Sequence, residues 1–109
     1  MEDDKIVLCA ASAYERKYYL NPEFQSLPEK IQKELQILCV LYTEDVGGVI
    51  AFVFDEAGNL SIDISHEDND LRFDEIGSGL KIKEMQQKNV ELFQALEVFF
   101  RVFFLGQEV

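Results

Sequence analysis

The residues best suited to chemistry are His66, the only histidine, and the carboxylates around it. A Ser-His-Asp arrangement needs a histidine held in space between a nucleophile and an acid, whereas Ser65 and Asp63 are simply its neighbours along the chain. A zinc site needs several histidine or cysteine ligands, and both cysteines stand on apolar segments far from His66 in the sequence. We therefore expect a surface histidine, no catalytic residue and no enzymatic activity.

An acidic cluster follows this histidine and consists of Glu67, Asp68, Asp70, Asp74 and Glu75. An EF-hand loop that started at Asp68 would need glycine at its sixth position and glutamate at its twelfth, but Phe73 and Gly79 stand there. A looser divalent-cation site is the alternative. The pattern favours a solvated acidic rim that keeps a sheet edge soluble, so we predict no metal and no cofactor.

Two further motifs fail on spacing. Gly77-Ser78-Gly79-Leu80-Lys81 lacks the G-x-x-x-x-G-K-[ST] spacing of a phosphate-binding loop, and it predicts a flexible joint between two elements. Cys9 and Cys39 have apolar neighbours and no CxxC spacing. They are therefore predicted to be reduced and buried rather than paired or metal-bound.

One short segment combines basic and aromatic residues, because Arg16 and Lys17 lie among Tyr14, Tyr18 and Tyr19. Such residues could stack a ligand base. The spacing favours a half-buried, hydrogen-bonding rim on the first element.

The chain is strongly acidic, with a formal net charge of −11 over 109 residues. Between Glu44 and Glu75 there are ten acids against one base, Arg72, so this segment carries −9 and the rest shares −2. This charge argues against nucleic acid as a ligand. Neither a basic, apolar leader nor a membrane-length apolar run is present, so we expect a cytoplasmic protein.

The first half of the chain predicts two helices. Residues 5–20 contain no glycine or proline and repeat apolar residues at three- and four-residue steps, which favours a helix, with a short buried strand at residues 6–9 as the alternative. Ser26 and Glu29 have the spacing of a capping box, which predicts a helix from Leu27 to Thr43. Its middle turn is apolar almost all round.

The centre of the chain predicts an antiparallel hairpin. After the break at residues 47–48, Val49–Phe54 is β-branched and aromatic on both faces, which is typical of a strand buried on both sides. Residues 55–59 form the loop, and Leu60–Ser65 alternates strictly between apolar and polar side chains. Residues 66–70 are a loop, and residues 71–74 are either a third strand or a helix start capped by Asn69 or Asp70.

The C-terminal segment predicts one long helix from Leu80 to Leu105. Its core-facing stripe is expected to contain Leu92, Phe93, Leu96, Phe99, Phe100, Phe103 and Phe104. A second, narrower strip consists of Ala95, Val98, Val102 and Leu105. A helix that is apolar on two sides is normally buried between layers or subunits, so this strip is the candidate dimer interface.

Several segments together resemble a small family of single-domain proteins from anaerobic Gram-positive bacteria that carries only a domain-of-unknown-function label. The segments are residues 7–11, 14–19, 35–40, 46–48 and Arg101-Val102-Phe103-Phe104-Leu105-Gly106. The resemblance covers nearly the whole chain and implies a stand-alone bacterial cytoplasmic protein. It offers no catalytic residue.

The sequence thus predicts a single α+β domain over residues 1–109, with two N-terminal helices, an antiparallel hairpin of two or three strands, and a long C-terminal helix packed on it. We expect a non-catalytic, homodimeric protein-interaction module. Its candidate surface for a basic protein partner consists of Asp63, Glu67, Asp68, Asp70, Asp74 and Glu75. The alternative is a sensory module that binds a small molecule in an aromatic pocket lined by Phe52, Phe54, Phe93, Phe99 or the tyrosines.

Overall fold

Residues 5–107, which the computed structural model describes, form four strands and three α-helices. The strands are β1 (Ile6–Ser12), β2 (Lys17–Leu20), β3 (Val49–Phe54) and β4 (Leu60–Ser65). The helices are α1 (Glu29–Asp45), α2 (Glu75–Lys88) and α3 (Val90–Phe103). The strands make one antiparallel sheet in the order β2-β1-β3-β4. The α+β class is confirmed, but the predicted order of elements is wrong because the chain begins with strands.

The predicted first helix is wrong, since residues 5–20 form the β1–β2 hairpin. Two features concealed it. A bulge between Val7 and Cys9 leaves both Leu8 and Cys9 fully buried, which breaks the two-residue alternation of a strand. The turn has no glycine, and Arg16 takes up the positive φ of 54° instead.

Helix α1 lies close to its predicted position but begins without the predicted capping box. The residue before the helix is Pro28, which makes no side-chain capping bond. The Gln32 side chain donates to the carbonyls of Leu27 (2.8 Å) and Gln25 (3.1 Å) and so holds the entering chain. After the helix, Gly48 has a φ of 72°, and an added Cβ would lie 2.7 Å from the Ser65 carbonyl oxygen. This close approach requires glycine.

The β3–β4 hairpin is confirmed with its predicted bounds and loop. Asp55 organises the loop by accepting the N–H groups of Ala57 and Asn59, each at 2.9 Å, and Gly58 has the expected positive φ of 88°. Along β4, Leu60 and alternate residues after it are partly buried, whereas the residues between them are exposed. Along β3 every residue is buried or partly buried.

The sheet has two unlike faces. The helix-covered face carries the large side chains of β3, which are Ile50, Phe52 and Phe54, and each is fully buried. The opposite face, which we call the open face, carries side chains that are mostly small or polar and come from all four strands, although Val53 among them is only 3% exposed. By register they are Val7, Ala10, Ser12, Lys17, Tyr19, Val49, Ala51, Val53, Ser61, Asp63 and Ser65.

The segment after β4 differs from its prediction at three points. Residues 71–74 form neither a strand nor a helix start, because α2 begins at Glu75 and is capped by Asp74, whose Oδ1 accepts the Gly77 N–H at 2.9 Å. The expected glycine joint lies inside α2. The expected single helix is divided at Asn89, whose backbone N–H (3.1 Å) and side-chain Nδ2 (2.9 Å) both donate to the Met85 carbonyl.

A stack of phenylalanine rings forms the core between α3 and the sheet. Phe100 lies 4.3 Å from Phe54 and 4.9 Å from Phe104 between ring centroids, and Phe24 adds a ring 4.7 Å from Phe104. The predicted stripe is largely confirmed, since Leu92, Leu96 and Phe100 are buried and its other members pack against the core. Phe103 is the exception, because 70% of it is exposed.

Candidate functional site

His66 lies on the surface, as predicted. Its ring stacks on Phe73 with centroids 4.3 Å apart, and Nδ1 lies 2.9 Å from the Glu67 carbonyl oxygen. Within the described part of the chain, no three histidine, cysteine or acidic side chains are close enough together to hold a metal ion.

Two residues of the acidic cluster, Asp70 and Asp74, form hydrogen bonds that stabilise the fold. Asp70 accepts hydrogen bonds from the Tyr14 hydroxyl (2.5 Å) and the Arg72 N–H (2.9 Å). The Tyr14 hydrogen bond, together with the backbone bonds, lowers the pKa of Asp70, and the same bond raises the pKa of Tyr14. Asp74 caps α2. The exposed acids that remain in this segment are Glu67, Asp68 and Glu75.

Asp63 belongs to a different surface from the rest of the predicted acidic site. It lies on the open face of the sheet, opposite Ala51 in the register of β3 and β4. Its carboxylate is 3.9 Å from the Lys5 ammonium. The six predicted residues are therefore divided between the open face and the loop before α2.

The two cysteines are free and fully buried, at 0% exposure each. The Cys9 and Cys39 sulfurs lie 3.8 Å apart and join β1 to α1. Their hydrogen bond and burial raise the pKa of the Cys39 thiol, which makes a reactive thiolate unfavourable. Burial also raises the pKa of Tyr18. Its hydroxyl lies near the Cys9 sulfur, but among the described residues it has no hydrogen-bond partner with good geometry.

The phenylalanines proposed for an aromatic pocket fill the core instead. Phe52 and Phe54 are fully buried, Phe93 meets Phe52 edge-on at 5.6 Å, and Phe99 lies 6.4 Å from Phe24. Tyr18 is the predicted aromatic residue that borders open space, because it lines two clefts between β2 and α1.

These two clefts form a groove along one side of α1, which we call the β2 groove. The larger cleft has a volume of about 690 Å³ and the smaller about 250 Å³, and both are lined by Tyr18 and Gln36. The smaller cleft is completed by Leu20, Glu29, Gln32 and Lys33. The larger continues to the C-terminal end of α1, where Val40, Thr43, Glu44 and Asp45 line it.

Three cations converge on the larger cleft from separate loops. Arg16 and Lys17 come from the β1–β2 hairpin, and Arg72 comes from the loop before α2. In the described chain none of the three forms an ion pair, whereas Asp45 on the opposite wall is 2.8 Å from Lys81. The sequence indicated that Arg16 and Lys17, beside tyrosines, could contact a ligand. It did not predict that Arg72, the single base of the acidic segment, lies near them.

The outer edge of β2 also borders this groove. The Asn21 N–H donates to the Leu8 carbonyl at 2.9 Å, and hydrogen-bonding direction alternates along an antiparallel strand. The N–H and C=O groups of Tyr18 and Leu20 therefore point away from β1. No described residue forms a hydrogen bond with them.

The predicted strip, which we call the α3 strip, is uncovered by the described chain over most of its length. Ala95 is exposed, Val98 is 43% exposed and Val102 is partly buried. Leu105, which is 37% exposed, lies two residues beyond the end of α3. Phe103 is 70% exposed, but it belongs to the other stripe of α3, where its ring lies 4.7 Å from Phe99. None of the helices formed by residues 5–107 has the length and apolarity needed to cross a bilayer.

A family model described as a family of unknown function (DUF6145) matches residues 5–108. The chain belongs to this family. The match spans both the β2 groove and the α3 strip, and the family's description assigns no role to either. No curated protein and no solved structure matches the chain significantly.

Proposed function

We propose that this protein is a non-catalytic, homodimeric protein-interaction module in the cytoplasm. The observation that supports the dimer is the α3 strip, an apolar surface on a helix whose opposite side is already buried in the core. Apolar residues that remain exposed together on one helix face are typical of an interface with another chain.

A second copy of the chain is the proposed occupant of this strip. Two chains that each carry −11 repel one another, so they associate best through surfaces without charge. The members of the strip are uncharged, and antiparallel pairing of α3 with α3 of the second copy would place the small Ala95 opposite Val102. Such small-to-large matching brings two helices into close contact.

Sedimentation tests this dimer most directly. The wild-type chain is expected to sediment as a dimer at micromolar concentration, and Val98→Asp should weaken dimerisation by roughly 100-fold or more, because an unpaired carboxylate would be buried. Gln87→Asp is the matched control, since it adds the same charge at an exposed position on α2, away from the strip, and should leave the dimer intact.

Two outcomes would contradict the proposed interface. A wild-type chain that sediments as a monomer would exclude the dimer. Loss of the whole fold in Val98→Asp or Val102→Asp, seen as loss of a cooperative unfolding transition, would instead place the strip in the core of the monomer.

Within this role, the loop before α2 is the proposed contact for a basic protein partner. Glu67, Asp68 and Glu75 are exposed, and opposite charges accelerate encounter between proteins. Asp63, Asp70 and Asp74 contribute to the same negative potential but are also engaged inside the fold. Affinity for a basic partner that did not change between low and moderate salt would contradict this contact.

A further inference from the structure

We propose that the β2 groove binds an extended peptide segment that adds to β2 as a fifth strand and carries acidic residues at its C-terminal end. This binding site lies on a different surface from the α3 strip. It rests on the proposed function only in the premise that the chain binds protein, and it does not require the dimer. It includes Arg72 from the loop before α2, but not the exposed acids of that loop.

The length of the groove fits a peptide. Its lining runs along α1 from Glu29 to Glu44, which corresponds to about 22 Å at 1.5 Å per residue. An extended chain covers this distance with six or seven residues at about 3.3 Å each. The Tyr18 ring, Leu20 and Val40 provide apolar contacts for alternate side chains of such a peptide.

The edge of β2 supplies the backbone partners. Tyr18 and Leu20 point their N–H and C=O groups into the space where a further strand would lie, and in the described chain these groups are unpaired. Addition of a peptide to a free sheet edge is a recurrent mode of recognition, in which the backbone gives affinity and flanking pockets give specificity. Because β2 has only four residues, the side-chain contacts in the groove must contribute much of the affinity.

The charges set the direction and the composition of the peptide. Arg16, Lys17 and Arg72 lie at the end of the groove where β2 begins. A peptide antiparallel to β2, like every other strand pair of this sheet, would place its C-terminal end there. The planar guanidinium groups of Arg16 and Arg72 match carboxylates in two-bonded geometry.

The opposite wall carries two acids, and they do not cancel this preference. Asp45 is paired with Lys81 at 2.8 Å, which leaves Glu44 as the other acid that lines this end of the cleft. The basic end of the groove is thus a positive site on a chain of net charge −11, so it selects against basic peptides that the rest of the surface would attract.

A displayed library of random heptapeptides with free C-termini, panned on the full-length chain, tests the proposal. Peptides with two or more acidic residues at the C-terminal end should be enriched. A synthetic copy of the best clone should shift the amide resonances of Tyr18 and Leu20 but not those of β4. N-methylation at the alternate amides that face β2 should weaken its binding by roughly tenfold or more.

Charge variants provide the matched comparison. Arg16→Glu combined with Arg72→Glu should weaken binding of that peptide by roughly tenfold or more, and both positions are exposed, so the fold should be retained. Lys83→Glu combined with Lys88→Glu is the control, since it changes the net charge by the same amount at two exposed lysines of α2 that do not line either cleft. Val98→Asp should bind the peptide as the wild type does, even if the dimer proposal fails.

Four results would overturn the proposal. The first two are no enrichment of peptides relative to the Arg16→Glu, Arg72→Glu variant, and enrichment of basic peptides. The third is equal binding of free succinate or inorganic phosphate at the same resonances, which would indicate a small-anion site. The fourth is a concentration-dependent shift of the Tyr18 and Leu20 resonances without peptide, which would indicate pairing with a second copy.

Discussion

The two edges of the sheet are treated in opposite ways by the rest of the chain. At β4, the Glu97 carboxylate accepts the Leu60 N–H at 2.8 Å, and Arg101 donates to the Asn59 side chain (2.8 Å) and to the Ala57 carbonyl (3.2 Å). Helix α3 therefore covers the end of this edge next to the β3–β4 loop with its own polar side chains. At β2 no described side chain does the same.

The side chains around the two edges differ in the same direction. Phenylalanine rings stack beneath α3 and the β3–β4 hairpin, whereas tyrosines, arginines and a lysine surround β2. A free edge is a hazard that proteins normally cover or shorten. The contrast indicates that α3 stabilises one edge as part of the fold, while the other is left short, basic and available.

The largest expected effect is a loss of stability from removing a ring of the phenylalanine stack beneath α3 and the β3–β4 hairpin. Phe100→Ala should reduce the free energy of unfolding by about 3–5 kcal/mol, because Phe100 is 1% exposed and stacks between Phe54 and Phe104. Urea denaturation measures this loss. Phe103→Ala, at a residue 70% exposed, is the control and should cost under about 1 kcal/mol in the monomer; equal losses would show that the ring stack does not carry the edge.

A smaller loss of stability is expected when the hydrogen bond between α3 and β4 is removed and the core is left intact. Glu97→Ala should reduce stability by about 1–2 kcal/mol, because the partly buried Leu60 N–H loses its acceptor. Hydrogen exchange at the Leu60 amide should also become faster. Gln94→Ala, an exposed position on the same helix, should change neither quantity. An unchanged Leu60 exchange rate in Glu97→Ala would mean that the carboxylate does not protect this edge.

The smallest expected effect concerns Tyr18 on β2, and here the free energy of unfolding should increase rather than decrease. Tyr18→Phe removes a buried hydroxyl that has no hydrogen-bond partner within residues 5–107, so the free energy of unfolding should rise by up to about 1 kcal/mol. Tyr42→Phe makes the same chemical change where the hydroxyl lies 2.6 Å from Ser78 Oγ, and it should destabilise by about 1 kcal/mol. A loss of stability in Tyr18→Phe, measured by the same urea titration, would show that a cysteine sulfur partners this hydroxyl.

The second half of the sheet could be predicted from sequence because its signals are local. The strict alternation of apolar and polar residues in β4 and the loop that begins at Asp55 predict that hairpin, and both signals come from residues that are close together in the sequence. The first hairpin lacks both signals, since Leu8 interrupts the alternation at a bulge and Arg16 replaces the glycine that usually marks a turn. Apolar residues at three- and four-residue steps then imitated a helix.

The C-terminal region shows a different limit. Helix periodicity correctly separated the core stripe from the α3 strip, but it gave no reason to divide the helix at Asn89, where a short polar side chain competes for the Met85 carbonyl. The candidate groove could not be predicted at all. Arg72 meets Arg16 and Lys17 only because β1 pairs with β3, and no pattern along the sequence encodes that pairing.

That central pairing also has a kinetic consequence. Each hairpin, β1–β2 and β3–β4, joins strands that are close in sequence, whereas β1 meets β3 with Ser12 opposite Val49. Local hairpins form in microseconds, and long-range strand pairing is slower because a large loop must close first. We expect the docking of the two preformed hairpins, which α1 connects in sequence, to set the folding rate. The groove and the stack of phenylalanine rings would then both form in this one step.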